Sequence, residues 1–303
     1  MSRSDENVVD VASRCPLCAG PAGHAFSSTD RNRGIPAGRF DYQRCANCGS
    51  YFLCPVPEDL ARHYPADYHT HPDRVELDRY VSAEEPKLDL LRRAVGSGRL
   101  LEIGPGTGLF SRAAVLAGFE VTVIEMDKSC CEYIDSVVGA RAIHSDRPEL
   151  ALNALGSFHA VAMWQVIEHL PDPWAVFEAA VAHLEPGGAI IVGTPNPDSM
   201  QFRLLGRYWA HLDAPRHLFL IPASALQRKA TELGLRHVLT TTSDPAGRHW
   251  NLFGWEYALR RHPARNPSTW LTRALALLLT TAVRPFETRG LAGATYTSVF
   301  VKR

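Results

Sequence analysis

The chain has 303 residues, of which 46% are apolar and 21% charged, and 32 Lys/Arg balance 32 Asp/Glu. That length accommodates one large domain, or one large and one small, in an ordinary globular composition, and the charge balance excludes the global basic field that dominates nucleic-acid binding. No apolar run reaches the roughly 18 residues needed to span a bilayer, and the opening MSRSDENVVD is polar and acidic rather than a secretory signal, so a cytoplasmic setting is expected.

Residues 1–60 carry four of the seven cysteines as two C-x-x-C pairs, Cys15/Cys18 and Cys45/Cys48, with 26 residues between them. Such pairs in a reducing compartment suit a metal better than a disulfide framework. Four thiolates in tetrahedral array are what structural zinc requires, and a closed four-Cys site leaves no open position for catalysis. The pattern matches the zinc-ribbon type, with a long hairpin loop over 27–38 absorbing the extra spacing. Cys54 is a spare, expected to be a partly buried small residue. Residues 61–97 follow as linker and docking helices. A short helix and turn with Tyr64 and Tyr68 is expected over 58–68. Over 84–95 Leu88, Leu91 and Val95 recur at helical spacing, and this helix is expected to dock the N-terminal module onto the main domain.

The main domain, 98–303, opens on the stretch around which the chain is organised. An apolar run ends at Glu102, a turn follows with Gly104, Gly106 and Gly108, and a helix is expected over 109–117. Glycine there lets backbone approach a ligand closely, and the helix N-terminus favours polar or negative groups. The spacing is G-x-G-x-G, not the G-x-G-x-x-G of dinucleotide folds. Strands are then expected over 119–124, 140–144, 158–164 and 189–194, alternating with helices over 128–138 and 173–184. The last of these strands is preceded by a turn at 185–188. This alternation predicts a doubly wound, mostly parallel sheet, in which ligands bind beyond the carboxyl ends of the strands. Glu102, Glu125, Asp146 and Gln165 end successive strands there. Glu125 can accept from the vicinal hydroxyls of a ribose, and Asp146 from an adenine amino group.

The stretches LEIGPGTG (101–108), VTVIEMD (121–127), FHAVAMWQVIEHLPDP (158–173) and LEPGGAIIVGTPNP (184–197), in this order, resemble a class I S-adenosylmethionine-dependent methyltransferase. The resemblance covers about 85 to 240. It implies a Rossmann-like α/β fold with a seven-stranded sheet. It implies that Glu102, Gly104, Gly106 and Gly108 cradle the methionine part of S-adenosylmethionine, that Glu125 binds the ribose, and that Met126 packs on adenine with Asp146 near its edge. Trp164 and Gln165 then lie beside the cofactor. Members of this family with an N-terminal four-Cys module include enzymes acting on sugars and other small molecules, and YFLCPVPEDLARHYPADYH (51–69) also resembles those.

In the C-terminal third, Ser224 with Gln227 three residues on forms a helix-start pattern and Gly234 a stop. A sixth strand is expected over 235–243 and a seventh over 295–301, the seventh antiparallel beside the fifth. Between them lies an insert, 245–293, with Trp250, Phe253, Trp255, Tyr257 and the apolar run WLTRALALLLTTAV. From Pro245 to the end there are nine Lys/Arg against two Asp/Glu. The insert suits a helical lid or a homodimer surface, or a basic, apolar face over 250–285 for peripheral membrane contact and a hydrophobic or lipid-linked acceptor.

Methyl transfer from an activated sulfonium draws much of its rate from proximity and orientation, and a general base helps where the acceptor is a hydroxyl or an acidic carbon. His169, just past the fourth strand, and His217, in the loop before the next helix, are the candidates. Tyr208, His211 and Asp213 are weaker ones, and Glu168 is expected to cap or orient. The expected activity is methyl transfer to a small-molecule acceptor, an O- or C-methylation. The rival is an RNA methyltransferase with the ribbon as its recognition module, against which stand the neutral total charge and the six Lys/Arg against seven Asp/Glu of residues 1–60.

Overall fold

The computed structural model describes residues 13–36, 38–65, 68–260 and 266–303. The acidic first residues, positions 66–67 of the expected helix and turn, and 261–265 of the insert lie outside them.

The ribbon is built from β1 (Ser13–Arg14), β2 (Pro21–Ser28), β3 (Phe40–Cys45) and β4 (Tyr51–Leu53). A single helical turn, Leu60–His63, stands where the 58–68 helix was expected, followed by α1 (Arg74–Tyr80) and α2 (Glu85–Val95). The main domain then alternates: β5 (Arg99–Ile103), α3 (Leu109–Leu116), β6 (Glu120–Glu125), α4 (Lys128–Tyr133), β7 (Arg141–His144), α5 (Pro148–Ala151), β8 (Phe158–Trp164), α6 (Pro173–Ala182) and β9 (Leu184–Pro195). It closes with α7 (Met200–Leu205), β10 (Phe219–Leu220), α8 (Ala223–Glu232), β11 (Leu235–Thr241), α9 (Pro245–Ala258), α10 (Trp270–Glu287) and β12 (Thr295–Lys302).

Seven strands form one sheet in the order β11-β12-β9-β8-β5-β6-β7. β7, β6, β5, β8 and β9 are parallel, and β12 runs antiparallel between β9 and β11. This is the expected α/β, Rossmann-like sheet with its final hairpin. Sequence chemistry sets the helix starts. Asp127 accepts from the amides of Ser129 and Cys130 at 2.7 and 3.3 Å to open α4. Asp172 does so for Ala175 at 3.0 Å with Pro173 in the first turn of α6. Two local expectations fail. The turn at 185–188 lies inside the long strand β9, where a side chain on Gly188 would meet the carbonyls of Glu185 and His159 at 2.9 and 3.0 Å. Ser224 caps nothing, because Pro222 already supplies the extended turn into α8.

The sheet is packed on both faces. On one, Leu88 and Leu91 of α2 join Leu100, Phe110, Val121 and Ile134 in a buried cluster. On the other, Ile190, Phe177, Leu226 and Tyr296 belong to a cluster that runs on without a break into Tyr42, Phe52 and Leu53 of the ribbon. The expected docking helix, α2, therefore packs on α3, β8 and β9, and the ribbon docks by other means. Its β4 pairs antiparallel with β10, making a five-stranded sheet that takes its last strand from the main domain. Trp174 donates its indole N–H to the Leu17 carbonyl at 2.9 Å, and Phe202 packs edge-on against Tyr51.

The polar centre of this junction is Arg216, fully buried. Nη1 and Nη2 donate to the two oxygens of Asp30 at 2.8 and 2.9 Å, Nε and Nη2 to those of Asp213 at 2.9 and 2.6 Å, and Nη1 also to the His63 carbonyl at 3.2 Å. Removing one partner of a buried pair strands a charge in a low dielectric, which costs about 3–5 kcal/mol. Asp30→Ala is therefore expected to lower stability by that amount in chemical denaturation. A loss under about 1 kcal/mol, the level of an exposed pair, would refute a role for this fork in holding the modules together.

Candidate active site

The carboxyl ends of β5, β6 and β8 carry most of the expected cofactor residues. Gly104, Gly106 and Gly108 all have left-handed backbone, with φ of 65°, 56° and 71°, which explains glycine at each. Space matters as well: a side chain would meet Val166 at 2.6 Å from Gly104, His69 at 3.1 Å from Gly106 and Ile134 at 3.1 Å from Gly108. Glu125 is buried and fixed by two backbone amides, Gly106 N–H to Oε2 at 3.0 Å and Asp127 N–H to Oε1 at 2.9 Å. It thus ties the glycine turn of one strand to the end of the next. Glu102 is buried beneath the turn and accepts from the Ser111 hydroxyl of α3. Burial pushes its carboxyl up to about 7.

The remaining members are more scattered. Met126 is 63% exposed beside Glu125. Asp146 lies exposed past the outermost strand, β7, with no hydrogen bond among the described residues. Trp164 is half-buried, edge-on to Phe110 with ring centroids 5.4 Å apart and the Lys87 ammonium 5.1 Å from its own. Its indole N–H is buried without a partner. Gln165 follows with left-handed backbone, φ 57°, and its amide donates to the Gly193 carbonyl at 2.7 Å.

The structure brings the two candidate bases together, His169 edge-on to His217 with centroids 4.5 Å apart. His169 Nδ1 lies 3.0 Å from the Arg216 carbonyl and 3.1 Å from the Tyr64 hydroxyl. His217 Nδ1 lies 2.9 Å from the His211 carbonyl. A carbonyl can only accept, so in both rings Nδ1 carries the proton and Nε2 is left bare. Burial lowers both rings, His217 to about 3, so both are neutral at ordinary pH. Glu168 is fully buried, accepts from Thr194 at 2.9 Å, and holds its other oxygen 4.0 Å from His217 Nε2. Burial pushes its carboxyl up to about 8.

The histidines open on a cleft of about 570 Å³ that also takes in Gln165, Tyr68, Asp213, Trp250, Phe253 and Tyr257. The insert's α9 therefore forms one wall. Of the weaker candidates, His211 and Asp213 line this cleft, the latter committed to Arg216, whereas Tyr208 is half exposed and sits outside it between Arg31 and Arg207. Sequence reasoning missed His69, which lies over Gly106, and Asp30. It missed Arg216 too, and treated Tyr64 only as a helix aromatic.

The four ribbon cysteines also meet, with Cys15 Sγ 3.7 Å from Cys48 Sγ and Cys18 Sγ 3.5 Å from Cys45 Sγ, and all four donors within 4.8 Å of one another. Four thiolates about 2.3 Å from one tetrahedral ion would stand about 3.8 Å apart, so the donor set fits zinc. Cys54 is half-buried and outside the cluster.

Comparison with known proteins agrees with this architecture. Residues 74–240, more than half of the chain, match the family model described as a methyltransferase domain. A ubiquinone biosynthesis O-methyltransferase of Xanthomonas campestris pv. campestris is 33% identical over 135 residues, 43% of this chain and 53% of that protein. One of the same name from Psychrobacter arcticus is 28% identical over 197 residues, 60% of this chain and 74% of that one. The chain thus spans about half the length of the first of these relatives. A crystal structure described as a SAM-dependent methyltransferase from Archaeoglobus fulgidus covers 75% of this chain and 94% of its own with a TM-score of 0.52, at 15% identity, a likeness of fold.

The buried carboxyls give the site a pH signature. Glu168 titrates near 8 when folded and in the ordinary carboxylate range, near 4.5, when unfolded. The folded state binds the extra proton, so its contribution is full at low pH and is lost as pH rises from about 4.5 through about 8. Glu168→Gln keeps the neutral shape and is expected to flatten the fall in stability between pH 6 and 8, measured by denaturation across pH. An unchanged slope would show that Glu168 is ionised in the folded protein.

Proposed function

The chain belongs to the methyltransferase-domain family, and from that premise we propose that it transfers a methyl group from S-adenosylmethionine to a small-molecule acceptor, by O- or C-methylation. The observation that carries this reading is the pair of neutral histidines, each with Nδ1 held at a carbonyl and Nε2 bare, that line a cleft with Gln165, directly past the strand beside the glycine turn. S-adenosylmethionine, when bound, supplies a methyl group on a sulfonium, ready for in-line displacement. The chain's residues fit it: three left-handed glycines leave room for backbone approach, and Glu125 is preset by two amides with lone pairs to spare for a ribose. Glu102 offers a carboxylate beneath the turn to a cationic group. In this assignment Met126 borders the adenine side, Asp146 lies at its outer edge, and Trp164 and Gln165 line the opposite wall.

His217 is the base in this reading, with His169 beside it. Its Nδ1 proton is pinned to a carbonyl, so Nε2 is the atom that takes a proton from the acceptor. Burial makes it a weak base, which suits an acceptor that is itself acidic, such as a phenol or an enolisable carbon, more than a simple alcohol. Asp213 is the ionised carboxylate whose charge favours the proton that His217 gains. Against the RNA alternative stand the neutral total charge and the six Lys/Arg against seven Asp/Glu of residues 1–60. A hydrophobic or lipid-linked acceptor is favoured by α10, on which Trp270 is 82% and Leu278 68% exposed. Among the described residues no helix is long and apolar enough to cross a membrane, so contact there would be peripheral. We further propose that Cys15, Cys18, Cys45 and Cys48 hold structural zinc.

The reading is tested by incubating the protein with isotopically labelled S-adenosylmethionine and metabolite extracts. Label is expected in small molecules, and label in RNA instead would overturn the choice of acceptor. Glu125→Ala is expected to weaken S-adenosylhomocysteine binding at least tenfold in calorimetry. His217→Ala should leave that affinity within twofold and lower turnover by about 10²–10⁴-fold, the range for a lost general base. Wild-type turnover would remove His217 from the chemistry. Cys45→Ser is expected to abolish zinc content in elemental analysis and to lower the melting temperature of the entire chain, because the ribbon shares its core with the main sheet. Full zinc content would refute the four-thiolate site.

A further inference from the structure

The acceptor cleft mixes neutral and cationic groups. His169 and His217 line it as neutral rings, with His211 also held neutral, burial having pushed it down to about 4. Arg33 and Arg260 line the same cleft, and Arg31, which borders the separate cavity beside Tyr208, approaches the Tyr257 hydroxyl from outside it. Among the described residues none of these three guanidinium groups has a carboxylate within ion-pair distance, although the protein forms carboxylate pairs through Arg92, Arg99, Arg112, Arg147 and Arg216. The carboxylate lining the cleft, Asp213, gives both oxygens to Arg216. The free arginines lean on aromatic faces instead: Arg33 lies 4.7 Å from the Tyr68 ring centroid and Arg260 5.6 Å from that of Tyr257.

Two polar atoms here are also orphaned: Arg260 Nε and the Tyr257 hydroxyl are buried without hydrogen-bond partners among the described residues. Burial pushes that hydroxyl up to about 12, so it remains a donor. Buried polar atoms are almost always satisfied, and exceptions call for a specific explanation such as a missing ligand. Donors without acceptors, in a cleft also lined by uncompensated positive charge, form an anion site. Guanidinium forks match the oxygens of phosphate with paired hydrogen bonds.

We propose that the acceptor carries a phosphate or diphosphate group, bound by Arg33 and Arg260 with the Tyr257 hydroxyl, while the carbon or oxygen to be methylated lies against His169 and His217. The inference rests on the function proposed above and names the acceptor's chemistry at that same cleft. Trp250 and Phe253, on the α9 wall, provide flat apolar surface for what lies between the phosphate and the methylated atom. That middle part is a nucleoside or an isoprenoid, and the diphosphate grip is common to both.

The test is calorimetry on the full chain saturated with S-adenosylhomocysteine, titrated with inorganic pyrophosphate, then with uridine diphosphate and with farnesyl diphosphate. Pyrophosphate is expected to bind and to weaken as salt rises. Arg33→Ala and Arg260→Ala are each expected to weaken it about tenfold, while S-adenosylhomocysteine affinity and melting temperature stay unchanged. Arg33→Lys, which keeps the charge but loses the fork, should recover part of the loss. Tighter binding of uridine diphosphate identifies a nucleotide-linked acceptor, and tighter binding of farnesyl diphosphate a prenyl-linked one. The proposal is overturned if none of the three binds, if binding is indifferent to both arginine substitutions, or if benzoate binds as tightly as pyrophosphate and thus shows a site for carboxylates. Retained S-adenosylhomocysteine binding in those cases would leave the methyltransferase reading intact, whereas its loss would bear on that reading alone.

Discussion

Arg216 lies fully buried between two aspartates from distant parts of the chain, Asp30 of the ribbon hairpin and Asp213 of the loop that carries His217. Burial by itself would raise both carboxyls, yet both are held below their ordinary range because the guanidinium supplies charge and hydrogen bonds together. The next residue is His217, whose backbone carbonyl accepts from the Tyr42 hydroxyl of β3 at 2.8 Å. The carbonyl of Arg216 itself faces Nδ1 of His169. One residue therefore fixes the ribbon to the main sheet and, through its own carbonyl, the orientation of His169. The ribbon is part of the architecture of the cleft, and a metal held by its cysteines would act on the cleft by keeping Asp30 and Tyr42 in place.

Burial sorts the ionisable groups of this region into two populations. Asp30 and Asp213 are ionised because a cation meets them, and they add stability that is lost in acid. Glu102 and Glu168 face hydroxyl donors and apolar walls, take up protons near neutrality, and add stability that is lost as pH rises. The histidines are held neutral by the same burial. The outcome is a junction beneath the cleft in which two carboxylates face one guanidinium and the histidines stay neutral, so that a developing charge is weakly screened and strongly felt. That environment favours chemistry in which a cation transfers its charge away.

How much of this was legible in the sequence depended on range. The glycine turn, Glu125 and the strand alternation are local patterns, and the rule that ligands gather at strand carboxyl ends brings them together without contact information. The two C-x-x-C pairs behave likewise, since zinc chemistry supplies the missing contact. The Asp30–Arg216 pair spans 186 residues, and nothing in the spacing of either residue marks it. β10 is two residues long and exists only because β4 lies beside it. The docking role was expected of α2 because amphipathicity shows that a helix buries one face but not against what. His69 was invisible for the same reason: its place over Gly106 is set by the path of the chain between two modules.

The glycine turn shows how a short motif takes its meaning from what presses on it. Each left-handed glycine faces a different neighbour: Val166 past β8, His69 from the linker, and Ile134 beyond α4. Three separate parts of the chain thus limit the turn to bare backbone. Beneath it Glu102, pushed up to about 7 by burial, holds its proton far more readily than an ordinary carboxyl. A pyrophosphate over this turn would press Glu102 to keep its proton and would gain no counter-charge. A ligand with a cationic end would draw the proton off and gain an ion pair in a poorly screened site. The same carboxyl therefore penalises an anion and rewards a cation. Under the proposed function, that asymmetry, more than the count of glycines, would separate a sulfonium cofactor from a dinucleotide on this fold.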